Sequence, residues 1–498
     1  MQLRRMTMAG RTLTLAGTAV LAAVAAIAAA APALAQTTPT ERAAAREIVA
    51  EIDALQERID PTALAERLAA GDDADRARLF ERIETLWFSR MRALSDHIGR
   101  NPEVGFEERH AVDTLGAVLE AGGFAVETDA AELETAFVGR WDSPAGTDGP
   151  TLGIIVEYDA LRGTEEPFHG CQHNAQGPVG LAVAFAVAGY MEDAGLPGRI
   201  RVYGTPAEEI GPPSKKIMWE AGVFDEADVL IRSHGSGETA RSRAGFGVCC
   251  LNIDMVEYVF RGRPAHQRSS WNGRNALAAA VQFYTAVDHL RPTFRPEAVI
   301  QGVIPEGGTA PNVVPDRAVV DYYIRYPDEV YLEHVTTMMN DAARAAADAL
   351  GATVEIRPYG EYRDGISLGS LEELVFAYAR ELDAPEIQPE PQRPSGYEET
   401  GFVTRDIPGV GVSVFSSPAP GHSYERWRDS LEPVGHEGFL LDAKIMAAVL
   451  YHFLTDDAFR AAVIEEHRTM SRLFDRYLER LDEAYADEIG RTAAAEAN

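Results

Sequence analysis

Apolar positions along this chain change their spacing several times, and each change marks an element. From 40 to about 98 they recur every three or four residues, as at Ile48, Ile52 and Leu55, with charge between them. That spacing predicts amphipathic helices leading into a core. The pattern then alternates. Residues 151–156, 199–203 and 228–232 are short apolar runs that predict buried strands, and the intervening 178–191 and 215–221 predict helices. Strand and helix in alternation argue for an α/β domain with a mixed, largely parallel sheet flanked by helices.

After about Gly247 the style shifts. Strand-like 248–260, 298–303, 318–324 and 353–357 are interleaved with helical 276–289 and 331–350, enough for a compact α+β domain of its own. The chain then returns to helix at 371–382, strand at 410–415 and helix at 440–454. The expected organisation is a helical segment at 36–90 and a first domain in two pieces, 91–247 and 363–455. An inserted domain fills 248–362, and an acidic helical tail runs over 456–498. At 498 residues and 46% hydrophobic content, the chain is long enough for two cores.

The first 35 residues fit none of these domains. Arg4, Arg5 and Arg11 precede an Ala-rich apolar run, which ends in Pro32 and Ala33-Leu34-Ala35. This is the layout of a secretory signal peptide, predicting export to the periplasm or medium. No later segment is expected to be long and apolar enough to cross a membrane, so no membrane association is expected after cleavage. Loss of three arginines and no acid takes the formal charge from −31 to −34. An acidic chain excludes nucleic acid as an expected partner, because phosphate contacts need a basic surface. Lys215, Lys216 and Lys444 are the only lysines, a scarcity read as genome composition. Cys171, Cys249 and Cys250 make no disulfide framework. The adjacent pair is expected as small core residues in a strand.

Chemistry concentrates after the predicted strands, at the sheet edge where α/β proteins bind ligands. Asp159 and His169-Gly170-Cys171-Gln172-His173-Asn174 follow the first strand, Glu208-Glu209 the second, His234 the third and His422 the late one. Thiolate, imidazole and carboxylate suit zinc or another transition ion better than magnesium or calcium. So many ligands exceed the needs of one tetrahedral site and fit two ions, with Cys171 as a possible bridge. His169 is expected to orient a ligand from behind. Two consecutive glutamates leaving a strand point apart, so one can bind metal while the other handles a proton. His289, in a helix of the inserted domain, is expected to be an ordinary histidine.

These motifs, with Asn101 to Glu108, Glu157-Tyr158-Asp159-Ala160-Leu161, Pro206-Ala207 and Pro311 to Pro315, resemble the amidohydrolase branch of the aminoacylase and carboxypeptidase family of metallopeptidases. The resemblance covers about 92–454. It implies metal-dependent cleavage of an amide bond in an N-acyl or N-aroyl amino acid, or a dipeptide-like amide carrying a carboxylate. It implies two Zn or Mn ions held by Cys171, His173, Glu209, His234 and His422, with Glu208 as general base. It also implies that the inserted domain is a lid forming a homodimer. From that lid His266 would touch substrate, and Asn312 and Arg325 would hold its carboxylate. Three positions depart from the family: Gln172 replaces a usual Gly, Gly235 a frequent Pro, and 395–402 an Asp-rich stretch, with Glu398 and Glu399 only a partial match. Left open by the sequence are an exopeptidase acting on peptides and a binding protein that kept the fold and lost catalysis.

Overall fold

A computed structural model of the chain describes residues 36–71, 73–249 and 251–493. The signal-peptide expectation at 1–35 and Cys250 lie outside the described residues. In chain order the strands are β1 (Ala125–Thr128), β2 (Phe137–Asp142), β3 (Thr151–Val156), β4 (Arg199–Gly204), β5 (Val229–Ser233) and β6 (Gly245–Gly247). They continue with β7 (Asn252–Arg261), β8 (Val299–Glu306), β9 (Arg317–Tyr326), β10 (Thr353–Tyr362), β11 (Gly365–Ser367) and β12 (Gly409–Val412). Six of them form one sheet in the order β1-β2-β4-β3-β5-β12. The pairings β4-β3, β3-β5 and β5-β12 are parallel, and β1-β2-β4 is antiparallel.

All six residues of β3 are buried, as expected of a strand covered on both faces. The helix Gln176–Ala194 packs over β3, β4 and β5 and against the helix Pro433–Thr455. That second helix corrects one expectation: by length and composition it could cross a membrane, but 78% of its apolar window is buried inside the molecule. Its apolarity serves the core.

The inserted domain is an antiparallel sheet in the order β10-β7-β9-β8, with the helices Ala276–Leu290 and Glu329–Ala349 packed against it. Tyr258, Phe260, Val320, Tyr322 and Ile324 are buried. On the edge strand β8 and its neighbour, Val299, Val303 and Tyr323 are exposed. The short pair β6-β11 lies where the chain enters and leaves this domain.

Strand β7 begins only at Asn252, past Cys249, and Cys249 is exposed, which corrects its expected place in the core. The last helix, Asp457–Ala493, touches both parts of the molecule. Glu466 accepts hydrogen bonds from Gly369 N and Ser370 N, while Tyr485 donates to Asp328 at 2.7 Å and Glu488 pairs with Arg295 at 2.8 Å.

Candidate metal and catalytic site

Parallel strands β4, β3, β5 and β12 lie side by side, so the loops after them open at one edge of the sheet. That edge gathers Cys171, His173 and His234 into one group and Cys171, Glu209 and His422 into another, the ligating atoms of each lying within 4.8 Å of one another. Cys171 belongs to both. All five expected ligands therefore converge, as two triads sharing a sulfur.

The ligand set is held from behind. Asp159 Oδ1 takes His173 Nδ1 at 2.9 Å and its Oδ2 accepts Glu209 N at 2.8 Å, which leaves His173 Nε2 buried without a hydrogen bond. His169 is buried beside this group and contacts the Asp159 carbonyl through Nδ1 at 3.1 Å. Burial lowers the pKa of His169 and His234 to about 4, favouring the neutral imidazole. For His173 burial also acts downward, but Glu157 and Asp159 outweigh it and raise the pKa to about 10.

Burial, with Glu209 and Glu208 beside it, pushes the Cys171 thiol up. A thiolate at this position therefore needs a cation, which would reverse the local electrostatics. A soft sulfur, the buried imidazole of His173 with its orphaned nitrogen, the half-buried imidazole of His234 and adjacent carboxylates fit a transition ion.

Three non-glycine residues here adopt left-handed backbone: Gln172 (φ 64), Ala207 (φ 55) and His422 (φ 58). Ala207 turns the chain just before Glu208, and its N–H is held by Glu108 Oε1 at 2.7 Å. Glu108 is buried, and burial together with Asp159 raises its pKa to about 7. Gln172 is fixed by Ser416 Oγ at 2.7 Å and by the Arg426 carbonyl at 3.2 Å. A Cβ on Gly235 would come within 2.2 Å of Gln172 Oε1 and 2.9 Å of its Cβ. The two departures from the family thus face each other.

The sequence reading missed the charged layer beneath the triads. Glu157 is fully buried. Its Oε2 is 3.3 Å from His173 Nε2 and accepts from Gln176 at 2.6 Å, and its Oε1 meets Lys215 at 2.7 Å and Arg232 at 3.2 Å. Burial opposes its charge, yet Lys215 and Arg232 hold its pKa down to about 2. Lys215 is itself buried, so its rarity in the chain does not make it incidental. A conspicuous lysine just after the Glu208-Glu209 loop was the available signal.

The expected lid residues stay apart from this cluster within the chain. His266 is exposed, with Nδ1 accepting from Arg268 N at 3.0 Å. Asn312 is beside it, its carbonyl accepting from Gln267 N at 2.9 Å. Arg325 pairs with Ile253, whereas Arg317, near His266, pairs with Arg261. The eight residue steps from Arg317 to Arg325 put roughly 26 Å between the two ends at the usual strand rise, so Asn312 and Arg325 do not grip one carboxylate from the same chain. His289 is exposed on its helix, away from the triads.

An α/β sheet whose strand ends present a Cys/His/Glu cluster, interrupted by an antiparallel lid, is an arrangement suited to a metal-dependent hydrolase. Residues 246–350 match the profile of the peptidase dimerisation domain of the M20 peptidases. The human Xaa-Arg dipeptidase is 35% identical over 344 residues, covering 64% of this chain and 75% of the relative. A p-aminobenzoyl-glutamate hydrolase polypeptide of Escherichia coli is 31% identical over 280 residues, covering 53% of this chain and 56% of the relative. Among solved structures, an aminobenzoyl-glutamate utilization protein from Klebsiella pneumoniae superposes with a TM-score of 0.57 at 19% identity, covering 76% of this chain and 99% of that one. A dinuclear metal-binding peptidase of the M20 family from Bacillus subtilis superposes at 0.50 and 19% identity, covering 74% and 98%. The chain belongs to the M20 family of metallopeptidases and amidohydrolases.

Proposed function

We propose that this protein hydrolyses the amide bond of an N-acyl or N-aroyl amino acid or a dipeptide-like amide, releasing an amino acid that carries a free carboxylate. The observation that carries the reading is the pair of triads sharing Cys171, with Glu208 alongside. Cys171, His173 and His234 would hold one divalent ion, zinc or manganese, and Cys171, Glu209 and His422 the second. When bound, the ions would supply Lewis acidity toward the amide carbonyl and lower the pKa of a water enough for it to serve as nucleophile near neutral pH.

The chain's own residues do the rest. Asp159 fixes the ring of His173 and the peptide of Glu209 together. Glu108 and the left-handed Ala207 aim Glu208, whose carboxylate takes the proton from the attacking water and hands it to the leaving nitrogen. His422, more than half exposed on its side chain, sits at the open side, where substrate would enter. His266 and Asn312 of a second lid would complete the site in a homodimer, and export on the signal-like pattern of residues 4–35 would put the reaction outside the cytoplasm.

The test separates binding from chemistry at adjacent residues. Glu209→Ala should lose metal. Glu208→Ala should keep it while kcat on a panel of N-aroyl-glutamates and Xaa-Arg dipeptides falls on the order of 10²- to 10⁴-fold. Near-normal turnover by Glu208→Ala would overturn the mechanism, and turnover of no panel member by the metal-loaded enzyme would overturn the substrate class.

A further inference from the structure

A third acidic pocket adjoins the two triads. Glu157, from the end of β3, and Glu398 and Glu399, from the loop before the helix Phe402–Asp406, present oxygens within 4.8 Å of one another, a spacing that could hold a metal ion. Its centre is already taken. Lys215 Nζ lies 2.7 Å from Glu157 Oε1 and 3.3 Å from both Glu398 Oε1 and Glu399 Oε2. Arg232 closes the flank, 3.2 Å from Glu157 Oε1 and paired with Glu399. Glu398 Oε2 is buried with no hydrogen-bond partner, so the pocket keeps an unused acceptor beside the Oε1 that meets Lys215.

Two buried carboxylates and a third half-buried beside them cannot stay charged together without compensation. Burial and the neighbouring Glu399 push the Glu398 carboxyl up, which relieves part of that charge, and a cation from solvent or from the chain must offset the rest. The neighbouring triads make the choice matter, because Glu157 Oε2 is only 3.3 Å from His173 Nε2. A divalent ion in the third pocket would draw on Glu157 and set a second positive centre against the ion held by His173. An ammonium supplies one charge and no open coordination site.

We propose that Lys215 is the resident cation of this pocket, a positioning residue that excludes a third metal ion and, with Arg232, withholds Glu157 and Glu399 from the catalytic pair. The inference rests on the two-triad reading above. It differs from a plain structural ion pair in what its loss admits. An ion pair that is merely broken destabilises the fold, whereas a vacated cation site in this pocket should take up metal.

The experiment counts Mn²⁺ per chain by elemental analysis after equilibration and desalting, for wild type, Lys215→Ser and Lys215→Ser/Glu398→Gln. Lys215→Ser should hold one equivalent more than wild type, and the double variant should return to the wild-type count. Equal counts in wild type and Lys215→Ser overturn the inference alone. A wild type that holds no metal overturns the two-triad reading as well. If Lys215→Ser is poorly stable, Mn²⁺ should raise its melting temperature by more than it raises that of wild type, and an equal or smaller rise overturns the proposal.

Discussion

Gln172 and Gly235 show how one residue's backbone sets another's identity. A non-glycine residue in left-handed backbone costs about 1–3 kcal/mol, and Gln172 offsets this with two buried hydrogen bonds, to Ser416 and Arg426. Its side chain then fills the space that a Cβ at 235 would need, so glycine follows at 235. Gly235→Ala should destabilise the protein by roughly 1–3 kcal/mol through overpacking. In a Gln172→Gly background the same change should cost at least about 1 kcal/mol less, since contacting residues couple by this order. Urea denaturation of the four proteins measures the cycle, and additive costs would refute the pairing. The sequence showed each position as a separate departure from the family. Their contact was invisible because one lies after β3 and the other after β5, and only the parallel order of the sheet brings them together. Lys215 was misread for a similar reason: composition describes its frequency, not the three carboxylates that the fold places around it.

Among elements, legibility followed apolar contrast. The parallel strands and the helices over them were plain because they are buried on both sides. The hairpin β1-β2 went unassigned: β1 is exposed or half-buried throughout, and an edge strand with one wet face carries a weak apolar signal. The join of the last helix to the lid was also illegible, because it depends on polar pairs far apart in sequence. Asp328 is central to that join. It caps the helix Glu329–Ala349 through Tyr331 N at 2.9 Å and takes the hydroxyl of Tyr485. Burial raises its pKa from 3.8 to about 6. For a carboxyl shifted upward, the stabilising contribution is complete below the unfolded value and is lost as pH rises through the folded one. Asp328→Asn keeps a capping oxygen and carries no charge. Relative to wild type the variant should therefore gain stability between pH 4 and 7, by no more than roughly 3 kcal/mol. A stability difference that stays constant over this range, measured by chemical denaturation, would show that Asp328 does not titrate in that window.

At the scale of the whole molecule, the question is how an exposed lid residue can serve a site it does not touch. His266 and Asn312 are neighbours on the lid, solvent-facing, while the triads lie at the edge of the other sheet. Val299, Val303 and Tyr323 leave apolar surface on and beside the lid's edge strand, and an unprotected edge of this kind is suited to pairing with another chain. In the proposed homodimer each lid would reach the partner's catalytic domain. During attack, charge develops on the amide oxygen, and an imidazole opposite the ions could donate a hydrogen bond to it. Loss of one such donor costs about 3–4 kcal/mol of transition-state stabilisation, or 10²- to 10³-fold in kcat. His266→Ala should depress kcat on that scale while leaving metal content and folding unchanged, because the ring's one described hydrogen bond only caps a short exposed 3₁₀ turn at Arg268 N. Mixing decides between one chain and two. Protomers carrying His266→Ala, exchanged with protomers carrying Glu208→Ala, form heterodimers in which one site combines an intact Glu208 with an intact His266 and the other has neither. If the histidine acts across the interface, an equal mixture should recover about a quarter of wild-type activity, since half of the dimers are mixed and each holds one working site. No recovery in a mixture shown by mass spectrometry to have exchanged protomers would place the action of His266 within its own chain, or remove it from catalysis.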